Sequence, residues 1–241
     1  MATVKEHYDV HLGKLYSWML GDFEERSQQQ LQYFRAQQIL PLQNGVAIDL
    51  GCGNGIQSIA LADLGFTVIA VDFNKQLLDE LKANAGERPI TPVQASLTDV
   101  SQYAQPCELV VCMGDTITHL ESVEQLGKLF TDLFQISLPG GKLVLSFREL
   151  AIPLEDEKRF IPVKSDENRI FTCFLEYHPE HVMVNDLVYE RVNEKWNFSV
   201  SAYKKLRLHT NMVVGMLVKA GFNISNATNI AGMMHLLAYK R

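Results

Sequence analysis

Residues 46–55 read "VAIDLGCGNG", a short apolar run that meets an acidic residue and passes at once into a turn with glycine at 51, 53 and 55. A five-residue apolar run bounded by turn residues is a buried strand, and closely spaced glycines let the backbone bend sharply and approach a ligand. Next come "GIQSIALADLG", apolar at helical spacing and closed by Gly65, and a second strand, "TVIAVD". A strand, a tight turn, a helix and another strand make a crossover unit, which restricts the chain to a parallel sheet covered by helices.

The rhythm continues. "NKQLLDELKANAG" predicts a helix capped by Asn74 and ended by Gly86. "ITPVQA", "CELVVCM" and "GKLVLSF" predict further strands, with a helix around 122–136 before the last. Residues 4–40 carry apolar side chains at helical spacing and predict two helices hinged near "LGD" at 20–22. After Arg148 the alternation stops: residues 169–208 hold three strand-like runs broken by "HPEH" and "NEKW", an antiparallel meander. A helix at 210–220 and the runs "FNISNATNI" and "MHLLAYK" then rejoin the main sheet. The expected fold is a doubly wound α/β core over 1–150 with N-terminal helices, a meander insertion over 151–208, and a closing segment over 209–241.

Composition narrows the ligand. A length of 241 residues allows one substantial core, and a formal net charge of -6 lacks the concentrated basic surface that nucleic acid requires. Cys52, Cys107, Cys112 and Cys173 have neither metal-site nor secreted-disulfide spacing, so reduced thiols and a cytoplasmic location are expected, with no metal. No apolar run is long enough for a bilayer, so no membrane partner is expected. Self-association into a homo-oligomer is left open.

The charge around the turn separates the nucleotide-like ligands. A dinucleotide site wants its third glycine three places after the second, and that place is Ile56. The phosphate-loop lysine is missing as well. Asp49, at the strand end, would repel a pyrophosphate but attract the α-amino group and sulfonium of S-adenosyl-L-methionine. Asp72, ending the next strand, suits a pair of ribose hydroxyls.

With these residues in place, the sequence resembles the class I S-adenosylmethionine-dependent methyltransferases over most of its length. "VAIDLGCGNG" is similar to that family's first motif and carries Asp49, Gly51, Cys52, Gly53 and Gly55. "VIAVDFN" looks like the ribose-binding strand end, with Asp72 and Phe73, and "QASLTDV" like the segment that edges the adenine, with Ser96 and Leu97. "LPGGKLVLSF" resembles the fifth strand. The resemblance implies a seven-stranded, mostly parallel Rossmann-like sheet. A narrower likeness is to glycine N-methyltransferases and related small-amine enzymes. There a G-D-x-x-x-R pattern, here Gly21, Asp22 and Arg26, grips the cofactor carboxylate. "VVCMGDTITHL" places Met113 near the adenine and His119 beyond the turn, and Arg148 matches a substrate-binding arginine. Asp115 stands where those enzymes carry asparagine, which fits a cationic or hydroxylated acceptor better than an amino-acid carboxylate.

Methyl transfer from a sulfonium is an in-line displacement that needs positioning rather than a protein nucleophile. Asp115 and His119 are the candidates to take the acceptor's proton; as alternatives, Asp115 caps a turn and His119 is a structural histidine. Arg148 clamps an anionic group or pairs with Glu149 or the lid. Tyr16 is expected to close over the cofactor, while Tyr177, Tyr189, Trp196 and Tyr203 line the acceptor side or pack the meander. His178 and His181 read as an exposed hairpin tip. The expectation is S-adenosylmethionine-dependent methylation of a small molecule at nitrogen, leaving S-adenosyl-L-homocysteine. Small-molecule O-methylation and a non-catalytic cofactor-binding module are the alternatives.

Overall fold

A computed structural model describes residues 3–241. Its main sheet is built as the alternation requires: β1 (Val46–Leu50), β2 (Thr67–Asp72), β3 (Ile90–Gln94), β4 (Cys107–Cys112) and β5 (Ser137–Phe147) lie parallel. Helices α4 (Ile56–Asp63), α5 (Lys75–Ala85) and α6 (Val123–Ile136) intervene, and α7 (Thr210–Ala220) leads into β10 (Asn223–Ile230) and β11 (Met233–Tyr239). The strand order is β10-β11-β5-β4-β1-β2-β3, with β11 antiparallel to both of its neighbours. The order reverses at β1 and β4, which puts a crevice beyond their carboxyl ends.

Alternation along β1 distributes the core. Ile48 and Leu50 join the cluster that contains Phe130 of α6 and Leu217 of α7, whereas Ala47 joins the cluster holding Phe34, Leu61 of α4 and Leu81 of α5. Asp49 shares the face of Ala47. It is therefore presented to α4.

The N-terminal helical region is α1 (Val4–His7), a π turn at Tyr8–Leu12, α2 (Gly13–Leu20) and α3 (Phe23–Ala36). A capping box between Thr3 and Glu6 starts α1, and Gly21 and Asp22 form the expected break before α3, with Asp22 accepting the Glu25 amide. The insertion is a separate antiparallel sheet of four strands, one more than the sequence showed: β6 (Phe160–Ser165), β7 (Arg169–Tyr177), β8 (His181–Val192) and β9 (Lys195–Leu206), in that order. Pro162 hides β6 from a strand reading because proline cannot donate to a ladder. It is tolerated because β6 is an edge. The N-terminal helices pack on this lid through Leu12 and Leu15 against Phe171 and Val188. Among the described residues, no helix is long and apolar enough to cross a membrane.

Candidate active site

A narrow cavity lies where the crevice, the lid and the N-terminal helices meet. Gly51, Gly53, Asp72, Phe73 and Leu77 line it from the first two crossover units, and Leu97, Gly114, Thr116 and His119 from the turns after β3 and β4. Tyr8 and Tyr16 close it from above. Tyr16, Gly51, Gly53, Asp72, Phe73, Leu97 and His119, all expected at the site, come together here.

The glycines are required by their neighbours as well as by the bend. A Cβ on Gly51 would lie 2.3 Å from Thr116 Cγ2, and one on Gly53 would lie 3.0 Å from the Tyr16 hydroxyl. Both have positive φ, 70° and 53°. The Gly51 and Cys52 amides donate to the Val71 carbonyl, which anchors the turn to β2. Asp72 completes it: one carboxylate oxygen accepts from the Gly53 amide at 2.9 Å and the other from the Asn74 amide at 2.8 Å. Burial holds its carboxyl above the ordinary value, and these amides offset only part of the rise.

Several expected residues lie elsewhere. The Asp49 carboxylate does not line the cavity; it accepts from Ser58 Oγ of α4 at 2.6 Å and is 1% exposed. Burial pushes its carboxyl up to about 7, Ser58 opposing and Asp72 adding to the rise. Cys52 is buried in the core cluster between the sheet and α4, and Gly55 backs onto Leu81 of α5. Met113 is buried in that same cluster. Ser96 is exposed and bonded to Thr98. Arg26 is exposed, with its Nε donating to the Leu20 carbonyl 3.0 Å away, so it ties α3 to the end of α2.

On the other side of the cavity, Asp115 has φ 76° at the start of the turn Thr116–His119. Its Oδ1 accepts from the Arg148 amide at 2.9 Å and its Oδ2 from Lys205 Nζ at 2.5 Å. Burial works to raise this carboxyl, but the Lys205 ammonium and the Arg148 amide outweigh it and hold the group below its ordinary value. The carboxylate expected to face the acceptor is thus already engaged by the lid. Arg148 contributes its backbone here while its side chain is exposed, and the neighbouring Glu149 bonds Thr210 and His209 rather than Arg148.

His119 is held between aromatic rings, edge-on to Tyr8 with centroids 5.7 Å apart and stacked on Tyr203 at 5.5 Å. Its Nδ1 is buried without a hydrogen-bond partner. Burial, reinforced by Lys205 and His7 and opposed by Asp115, pushes the imidazole down to about 3. It is neutral at physiological pH.

Two groups escaped sequence reading. Lys205 was invisible as a partner of Asp115, although its spacing of two from Tyr203 puts both on one face of β9. His7 is 1% exposed and joins α1 to the lid, with Nε2 3.0 Å from Asp186 Oδ2 and Nδ1 2.6 Å from Ser201 Oγ. His178 and His181 do sit at the β7–β8 hairpin tip, their rings stacked. Among the described residues no cluster of histidine, cysteine or acidic side chains is arranged to hold a metal.

This sheet order, with a glycine turn after β1 and an acid ending β2, is the fold of the class I S-adenosylmethionine-dependent methyltransferases. Residues 47–141 match the family described as "Methyltransferase domain". The chain is 28% identical to a glycine/sarcosine N-methyltransferase of Aphanothece halophytica over 112 residues, 45% of this chain and 42% of the relative. It is 33% identical to the mitochondrial ubiquinone biosynthesis O-methyltransferase of Schizosaccharomyces pombe over 103 residues, 41% of this chain and 36% of that protein. It thus spans less than half the length of these curated relatives. The CcbJ methyltransferase of Streptomyces caelestis shares the fold at a TM-score of 0.75 and 17% identity, over 92% of this chain and 97% of that one.

Proposed function

We propose that this chain is an enzyme that moves a methyl group from S-adenosyl-L-methionine to the nitrogen of a small molecule. The observation that carries the proposal is one cavity running from the Gly51–Gly53 turn and Asp72 to the His119 ring. The first end suits the cofactor: a side chain at Gly53 would crowd Tyr16, so the backbone is left open to a close ligand. Asp72 would hold the ribose hydroxyls, Phe73 and Leu97 the adenine, and Gly51, Gly53 and Tyr16 the amino-acid arm. When bound, the sulfonium supplies a methyl group activated for in-line displacement.

His119 performs the acceptor-side task. A protonated amine has no lone pair to attack with, so the acceptor enters after losing its proton to solvent, and the neutral imidazole, too weakly basic to take that proton, accepts a hydrogen bond from the amine's remaining N–H. The new carbon–nitrogen bond then forms as the carbon–sulfur bond breaks, its electron pair leaving on sulfur. Positioning by the aromatic walls supplies most of the rate. The relative that acts on glycine and sarcosine supports nitrogen. A second reading, transfer to a hydroxyl oxygen, is favoured by the pairing of Asp115 with Lys205, which removes the free carboxylate that would hold an ammonium. Arg148, exposed beside this wall, is assigned to an anionic group of the acceptor.

Calorimetry with S-adenosylmethionine and S-adenosylhomocysteine, followed by a transfer assay over amines, amino acids, amino sugars and phenols, tests the reading. Binding of both and turnover on an amine is expected. Failure of both to bind overturns it, and turnover confined to phenols replaces nitrogen with oxygen.

A further inference from the structure

Strand β9 of the lid meets the turn Thr116–His119 at the cavity wall. Tyr203 and Lys205 project from the same face of β9, and they meet the two ends of one turn of the core: Tyr203 stacks on His119 while Lys205 holds Asp115. The ion pair is shielded, the lysine side chain 13% exposed and the aspartate 6%. We infer that Lys205 is a positioning residue that occupies Asp115 when the lid is seated, and so keeps His119 an uncharged wall of the cavity. This rests on the reading of the cavity as the site of methyl transfer.

The reason lies in what Asp115 would do without its lysine. It would remain a buried carboxylate with one amide donor, Arg148 N, and a buried carboxylate seeks a cation. The nearest group able to become one is the His119 imidazole, four residues along the same turn. An aspartate–imidazolium pair would keep the proton on His119 and set a cation in the wall that faces the sulfonium and the amine. Lys205 prevents this in two ways, by neutralising Asp115 and by placing a positive charge where an imidazolium would form. The remaining groups facing His119 reinforce the outcome or leave it alone: His7 of α1 adds to the pressure against a second positive charge, and the Tyr8 and Tyr203 rings are neutral. The neutral wall is therefore complete only when lid and core are together. An open lid leaves Asp115 to His119.

Nitrogen-15 shifts of the histidine rings, followed from about pH 4 to about pH 8, read this directly, with the His119 signals identified by their loss in His119→Gln. In the parent protein His119 stays neutral over that range. In Lys205→Met its protonation midpoint rises by about one unit or more, a tenfold change in proton affinity, whereas Lys205→Arg keeps the parent behaviour. Lys205→Gln, which retains a hydrogen bond to Asp115 but no charge, serves if the methionine variant does not fold, and is expected to raise the midpoint too. The double variant Lys205→Met/Asp115→Asn returns His119 to the neutral form. An unchanged midpoint in a folded, uncharged variant, or an equal rise in Lys205→Arg, overturns the inference. Since no acceptor is present, failure of methyl transfer would count against the proposed function and not against this titration.

Discussion

At the scale of the residue, Asp49 separates what a carboxylate does from where it stands. Buried against Ser58, its carboxyl is raised from 3.8 to about 7. The folded chain therefore binds this proton more tightly than the unfolded chain does. The group's stabilising effect is complete below the unfolded value of 3.8 and is lost as pH rises through about 7. Asp49→Asn, always neutral, is expected to be more stable than the parent at about pH 8 and to lose that advantage towards about pH 4. Urea unfolding at both ends of the range checks it, and a difference independent of pH contradicts it. Gly51 makes the complementary case. Gly51→Ala adds a Cβ 2.3 Å from Thr116 Cγ2 at a φ of 70°, and strain of this kind costs on the order of 1–3 kcal/mol. Adding Thr116→Ala should recover part of the loss in melting temperature but not all of it, because the backbone strain remains. Full recovery would show that the clash alone excludes a side chain at 51.

Elements were legible where the pattern was local. The β1 turn, the Asn74 cap, the α4 and α5 boundaries and the meander all follow from residues within a dozen positions of one another. The lining of the cavity was legible to the same extent: Gly51, Gly53, Asp72, Phe73 and Leu97 belong to crossover units and lie around it together, whereas Lys205 lies 90 residues from Asp115 and Asp186 lies 179 from His7. No spacing rule reaches that far. The direction of the Asp49 side chain was half legible, since alternation sets it opposite Ile48 and Leu50, but which face held the cavity depended on how the helices wrapped. The His7 junction is the element-scale consequence. Asp186 is fully buried, with His7 on one oxygen and the Cys173 thiol donating to the other at 3.2 Å. His7→Leu leaves that carboxylate short of a partner and should cost about 2–4 kcal/mol. His7→Leu/Asp186→Leu should recover most of it, because an apolar pair can replace a buried polar one. Urea unfolding of the two variants measures both terms. No recovery in the double variant would mean that His7 matters through its stacking on Tyr203, 4.2 Å between centroids, rather than through the pair.

For the whole molecule, the closed geometry creates a problem of access. The cavity has a volume of about 50 Å³, well short of the roughly 300–1,000 Å³ of a typical small-molecule site. A nucleoside with an amino-acid arm does not fit until a wall moves. The glycine turn, β2 and β4 are fixed by the core, which leaves the N-terminal helices, attached by a limited set of bonds. Asp9 accepts from Asn74, Ser17 reaches Glu80 and Asn54, Trp18 donates to Asp166, and His7 holds the lid. Behind them stands Gly21, with φ 90° and ψ -146°, a backbone region open in practice only to glycine. The expected opening is a swing of residues 4–20 about Gly21 that breaks these bonds and the packing of Leu12 and Leu15 on the lid. Hydrogen exchange should show the amides of α1 and α2 opening at lower free energy than those of β1 and β4, and saturating S-adenosylhomocysteine should slow exchange in residues 4–20 more than in the sheet. Gly21→Ala strains the closed arrangement and should weaken cofactor binding with the core unfolding transition little changed. Uniform protection of all segments, with Gly21→Ala binding as tightly as the parent, would move the gate from the N-terminal helices to the lid.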